Sequence, residues 1–105
     1  MNKLITQTVL ATAVAGFAVS PASAEDWVVV SWGGAYTASQ QNAYHEPWMK
    51  MHPDINIVND DSGSGALAKL RAMVEAANVT WDLVDVVASD AIVACDEGLA
   101  VEIDH

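Results

Sequence analysis

Positive charge is what this sequence has least of. Lys and Arg together number four against fourteen Asp and Glu in 105 residues, a net charge of −10 with His neutral. Such a chain repels phosphate backbones and anionic lipid, and no basic patch offsets the effect, so nucleic-acid recognition has no support. Cysteine is almost absent as well. Cys95 alone excludes an intrachain disulfide, and it lies too far from the amino terminus to be lipid-modified there. Asp96 and Glu97 follow it and disfavour a thiolate, so the expected role is a buried, inert thiol. Metal-ligand clusters are missing too. His45 and His52 stand two helical turns apart with Pro47 between them and no third ligand near, which reads as solvated or half-packed imidazoles. No hydrolase triad or catalytic carboxylate pair is visible. The expectation is therefore a protein that is not an enzyme, with no cofactor, no metal and no catalytic residue.

Long apolar runs are lacking except at the start. Met1-Asn2-Lys3 is a short positive opening, Leu4 to Val19 is uncharged and mostly aliphatic, and Pro21-Ala22-Ser23-Ala24 offers small residues where an A-x-A cleavage site needs them. The apolar core is short and carries Thr6, Gln7, Thr8 and Thr12, which argues against a membrane anchor. Residues 1–24 are thus expected to be a cleaved signal peptide, with export to the periplasm. Removal of 24 from 105 residues leaves 81, whose three basic residues (Lys50, Lys69, Arg71) against fourteen acids give −11. A field of that sign attracts cations.

What the chain does contain is one unit, repeated. Trp27-Val28-Val29-Val30-Ser31 is an unbroken β-branched and aromatic run, a buried strand. Gly33 and Gly34 end it, and helical character begins at Tyr36. Tyr36, Gln40, Ala43, Tyr44, Pro47, Trp48 and Met51 share one helical face, with a kink or restart expected at Pro47. Ile55 to Asn59 is a second strand, and Asp60 to Gly65 a polar turn. Ala66, Leu67, Leu70, Met73, Val74 and Ala77 then form the apolar face of a helix. Ser62 or Ser64 is its expected N-cap, and Asn78 its left-handed stop. Leu83 to Val87 is the third strand, and Ala88 opens a helix that runs through Glu97 to a Schellman glycine, Gly98.

Three βα units with tight connections imply an α/β fold, a three-layer parallel sheet with right-handed crossovers and strand order 2-1-3. The loops at the carboxyl ends of the strands, Ser31–Tyr36, Asp60–Gly65 and Ala88–Asp90, then gather on one edge, where open α/β sheets bind ligands. Trp32 and Tyr36 supply aromatic faces there, each able to attract an ammonium group by about 0.5–2 kcal/mol. Asp60, Asp61 and Asp90 supply negative charge. The same loops open helices, whose amino ends favour anions, so a ligand carrying both signs stays open.

Four pieces in order, Val30-Ser31-Trp32-Gly33-Gly34-Ala35-Tyr36, Glu46-Pro47-Trp48, Trp81-Asp82-Leu83-Val84-Asp85 and Asp96-Glu97-Gly98-Leu99, resemble the bacterial periplasmic solute-binding proteins of ABC importers, in particular the spermidine/putrescine-binding type. The resemblance covers 25–105. It implies the first half-lobe of a two-lobed type II periplasmic binding fold that closes on a small cationic solute and delivers it to an inner-membrane ABC permease. Residue by residue, it implies that Trp32, Gly33 and Tyr36 of the first loop meet the ligand, with Ser62 and Ser64 of the second and Ser89 and Asp90 of the third. The second lobe of such a fold is not in these residues.

One enzyme class competes. Gly63-Ser64-Gly65-Ala66-Leu67-Ala68 fits G-x-G-x-x-A between a strand and a helix, with Asp90 after the next strand, as in a dinucleotide-binding domain of an exported oxidoreductase. Asp60 and Asp61 immediately before the loop would repel a pyrophosphate.

Overall fold

The computed structural model describes residues 23–104. The expected signal peptide, 1–24, lies outside them except for Ser23 and Ala24. Among the described residues no helix is long and apolar enough to cross a membrane.

Three parallel strands make one sheet in the order β2-β1-β3, as the sequence implies. The strand β1 (Glu25–Val30) pairs along its whole length with β2 (Ile55–Asp60), from Glu25 opposite Ile55 to Val30 opposite Asp60. On its other side it meets β3 (Leu83–Val84) for two residues only. This corrects the five-residue third strand expected from Leu83 to Val87. The Asp85 N–H still reaches the Val30 carbonyl at 2.9 Å, but β1 ends at Val30 and its ladder with β3 goes no further. At the other end, Asp82 clasps Val28 by accepting its N–H on Oδ2 at 2.7 Å and donating its own N–H to its carbonyl at 3.1 Å.

Strand alternation sorts the helices into layers. Trp27, Val29, Ile57 and Leu83 share one face with the first helical segment, and Trp48 packs on Trp27 with ring centroids 5.5 Å apart. Val30, fully buried, and Val84 share the other face with Leu70 of α3 (Ala66–Glu75) and Ala94 of α4 (Ala88–Asp96). The three-layer α/β expectation therefore holds.

The first helical segment comprises α1 (Gly34–Gln40), a π-helical stretch (Gln41–His45) and α2 (Glu46–Met51). Pro47 has no N–H to give and its ring crowds the carbonyl one turn back. The chain meets this by widening rather than stopping, and the Glu46 N–H bonds the Gln41 carbonyl five residues back. The extra residue shifts the face that looks inward. Thr37, His45, Trp48 and Met49 are buried or half-buried, while Tyr36, Ala43, Tyr44, Pro47 and Met51 of the expected face are exposed. His45 is accordingly buried, not solvated, and its Nδ1 has no partner. His52 stacks on Trp48 with centroids 4.1 Å apart.

The caps differ from expectation in two places. Helix α3 (Ala66–Glu75) is preceded by left-handed Gly65 (φ 71°), and neither Ser62 nor Ser64 caps it. The helix starts only at Ala66, too late for Ser62, whose N–H donates to Asp60 Oδ1 at 2.8 Å in the turn before it. At the far end Ala77, not Asn78, adopts positive φ (50°), and the Asn78 N–H closes a Schellman bond on the Met73 carbonyl at 3.0 Å. Helix α4 (Ala88–Asp96) ends as expected. Gly98 is left-handed and the Leu99 N–H reaches the Ala94 carbonyl at 2.8 Å. Arg71 and Glu97 join α3 to the end of α4 through two 2.6 Å bonds. Each strengthens the other's charged form, raising the guanidinium's pKa and lowering the carboxylate's. Cys95 is exposed, which corrects the buried thiol.

Candidate ligand-binding site

The parallel sheet puts the carboxyl ends of all three strands at one edge, and the first loop is built around glycine there. Gly33 has φ 82° and ψ −178°, a conformation open in practice only to glycine. A Cβ on it would also come within 3.2 Å of the Asp61 side chain. This turn separates Trp32 from Tyr36 by one helical step, and the two rings meet edge to face with centroids 5.0 Å apart. Both stand in solvent, 43% and 47% exposed, although aromatic rings at a strand end are ordinarily covered.

The second loop is bound tightly to the first. The Ser31 N–H donates to the Asp60 carbonyl at 2.8 Å, and the Gly63 N–H donates back to the Ser31 carbonyl at 2.9 Å. Thr37, inside α1, accepts the Gly33 N–H at 3.0 Å and donates its hydroxyl proton to Asp61 Oδ1 at 2.8 Å. The third loop is held to α1 by Gln40, whose amide donates to Asp85 Oδ2 at 2.6 Å. Of these connectors, the Thr37, Gln40, Gly63 and Asp85 roles were not foreseen. The sequence carries no distinct signal for them, since Thr37 and Gln40 are two of several polar residues on a mostly exposed helix.

The expected site residues separate into two groups. Trp32, Gly33 and Tyr36 lie together on the first loop and the start of α1. Ser62 is half-buried in the second loop beside them in the sheet, and Ser64 is exposed on the same turn. Ser89 and Asp90 stand in the first turn of α4, exposed and half-buried respectively, past the short third strand. Strand order sets the second and third loops on opposite sides of the first.

The acidic residues differ in what they can still do. Asp60 is fully engaged: Ser62 binds one oxygen and the Trp81 indole N–H the other at 3.2 Å. The Ser62 hydroxyl and N–H, with help from Trp81 and the Lys69 ammonium, hold this carboxyl below its usual range. Asp60 is a structural anion. Asp61 is exposed and uses one oxygen on Thr37. In the G-x-G-x-x-A segment, Gly63 packs against the Ser31 carbonyl, which lies 2.6 Å from where a Cβ would be. That first glycine serves the contact between the two loops, while Gly65, the second glycine of the segment, has open space around it.

A separate apolar groove of about 470 Å³ lies between the sheet, at Trp27 and Leu83, and the segment from the π-helical stretch through α2, at Tyr44, Pro47 and Met51. No expected site residue lines it. Among the described residues no group of His, Cys, Asp and Glu could hold a metal ion.

No family model matches the chain, and no solved structure matches it. A curated relative does. The chain is similar to the gamma-aminobutyric acid-binding protein of Pseudomonas aeruginosa strain PAO1, with 33% identity over 87 residues. The match takes in 83% of this chain and 24% of that protein, so the chain spans about a quarter of the length of the curated relative it matches. The likeness is to a solute-binding protein. The ligand in its name is an amino acid and not a polyamine, so the spermidine/putrescine branch has no support from it.

Proposed function

We propose that these residues form the opening part of lobe 1 of an exported solute-binding protein. It takes a small solute bearing an ammonium group and delivers it to an ABC permease. The observation that carries the reading is the Trp32–Tyr36 pair. Two half-exposed rings, 5.0 Å apart at the carboxyl end of the central strand, present a face suited to a cation and its alkyl chain. The acid-rich second loop beside it has the matching sign.

Of the two ligand classes, an ω-amino acid of the γ-aminobutyrate type is the better supported. Its ammonium suits the aromatic face, and its carboxylate suits the amino end of α3, whose first turn carries no acidic residue. The likeness to a γ-aminobutyrate-binding protein agrees. The polyamine reading draws on the aromatic loop and the net charge of −10. Isothermal titration of the full chain with γ-aminobutyrate, putrescine and spermidine separates them. Heat with γ-aminobutyrate alone establishes the amino-acid class, and heat with the diamine and triamine the polyamine class. Binding of none of the three overturns the reading.

A further inference from the structure

The hydrogen bonds between the first two loops form a chain with a direction. A threonine hydroxyl has one proton, and Thr37 gives it to Asp61 Oδ1 at 2.8 Å. Its lone pairs are then left for the Gly33 N–H, which donates at 3.0 Å. Thr37 is 5% exposed, so water does not readily replace either partner. Gly33 is the residue directly after Trp32, and Thr37 the one directly after Tyr36. Two backbone bonds, Ser31 N–H to Asp60 and Gly63 N–H to Ser31, fix the same two loops from below.

We propose that Thr37 and Asp61 are positioning residues, which hold the Trp32–Tyr36 pair in its ligand-ready geometry before any ligand arrives. Gly33 needs the help. Glycine has many torsions open to it, and surrounding contacts must select this one. An acceptor on its N–H fixes the turn, and an anionic acceptor on the Thr37 hydroxyl strengthens both bonds. Asp61 acts through Thr37 rather than by touching the solute, so an uncharged acceptor at 61 should serve almost as well. A turn ordered in advance costs the ligand no ordering entropy, which is why preorganisation raises affinity.

This inference rests on the binding reading for its effect on affinity, but the device itself is visible without ligand. In the full, isotopically labelled chain, amide exchange at Gly33 and nuclear Overhauser effects between the Trp32 and Tyr36 rings report it directly. In the ligand-free wild type, the Gly33 amide should be protected and the ring contacts present. Thr37→Val and Asp61→Ala should each lose both signals, while Thr37→Ser and Asp61→Asn keep them, with circular dichroism confirming that all four fold. Affinity for γ-aminobutyrate or spermidine, whichever the wild type binds, should fall about tenfold in the first two variants and less than threefold in the second two.

Asp61→Asn losing as much affinity as Asp61→Ala, with the Gly33 amide still protected, would make Asp61 a direct ionic contact and overturn the positioning role. Unchanged protection and ring contacts in all four variants would overturn the device altogether. A wild type that binds neither probe defeats the binding reading alone, and the exchange and ring signals still decide this one.

Discussion

The indole N–H of Trp81 donates to Oδ2 of Asp60 at 3.2 Å, although the two residues belong to segments on opposite sides of β1. Asp60 ends β2 and Trp81 precedes β3, so one carboxylate ties the outer strands together at the edge where the loops emerge. It also turns the second loop, through Ser62. Asp60 is therefore the anion on which the site's framework depends.

That dependence has a pH signature. Asp60 is held below the usual carboxylate value of 3.8, so the folded state favours its ionised form. The resulting stability is fully present above the unfolded value and is lost as pH falls through the folded one. Urea unfolding of the wild type should show stability dropping as pH is lowered below about 4. Asp60→Asn should be less stable by about 1–2 kcal/mol near neutrality and flatter across that acid range. Parallel profiles for the two proteins would assign the acid sensitivity elsewhere.

At Gly63 the constraint is space. A Cβ there would stand 2.6 Å from the Ser31 carbonyl oxygen and 2.9 Å from its carbon, and both belong to backbone that is itself hydrogen-bonded. Gly63→Ala should cost about 1–3 kcal/mol, the range for overpacking a close contact. Chemical denaturation measures it, and a change under about 0.5 kcal/mol, as at an ordinary surface site, would mean the loops part easily.

Ala77 offers the opposite opportunity. It carries a Cβ in the left-handed region, at φ 50°, where the Schellman turn after α3 favours glycine. Ala77→Gly should stabilise the chain by about 1 kcal/mol, since left-handed backbone costs an L-residue about 1–2. A lower midpoint in denaturant would show that entropy lost by the added glycine outweighs the relief.

Trp32 tests the assignment of the aromatic loop. It is 43% exposed and its ring meets that of Tyr36 edge to face. Trp32→Ala should weaken binding of an ammonium ligand by roughly 1–2 kcal/mol with little loss of stability. Calorimetry against thermal melting separates the two effects. A collapse in melting temperature at unchanged affinity would place Trp32 in the core.

The sequence by itself determined the sheet. Valine-rich strands, glycine turns and amphipathic helices are local signals, and three of them in tandem leave few topologies, so order 2-1-3 and the Gly98 cap follow from short-range physics. Trp32-Gly33 and Tyr36 could be placed at the strand's carboxyl end for the same reason.

What only the tertiary structure decided were the places where two segments compete for one group. Ser62 reads as a helix cap until the helix is seen to start at Ala66, with left-handed Gly65 in the cap position and Ser62 in the turn around Asp60. The third strand reads as five residues until its partner ends at Val30. The face of the first helix reads with a period of 3.6 until the π-helical stretch before Pro47 inserts a residue and brings His45 inside. Thr37 and Asp61 lie 24 residues apart and carry no pairing signal in the sequence, because a hydrogen bond between side chains depends on where the sheet sets down its loops. Local sequence chose the elements, and the packing of one loop on the next chose which polar atoms would meet.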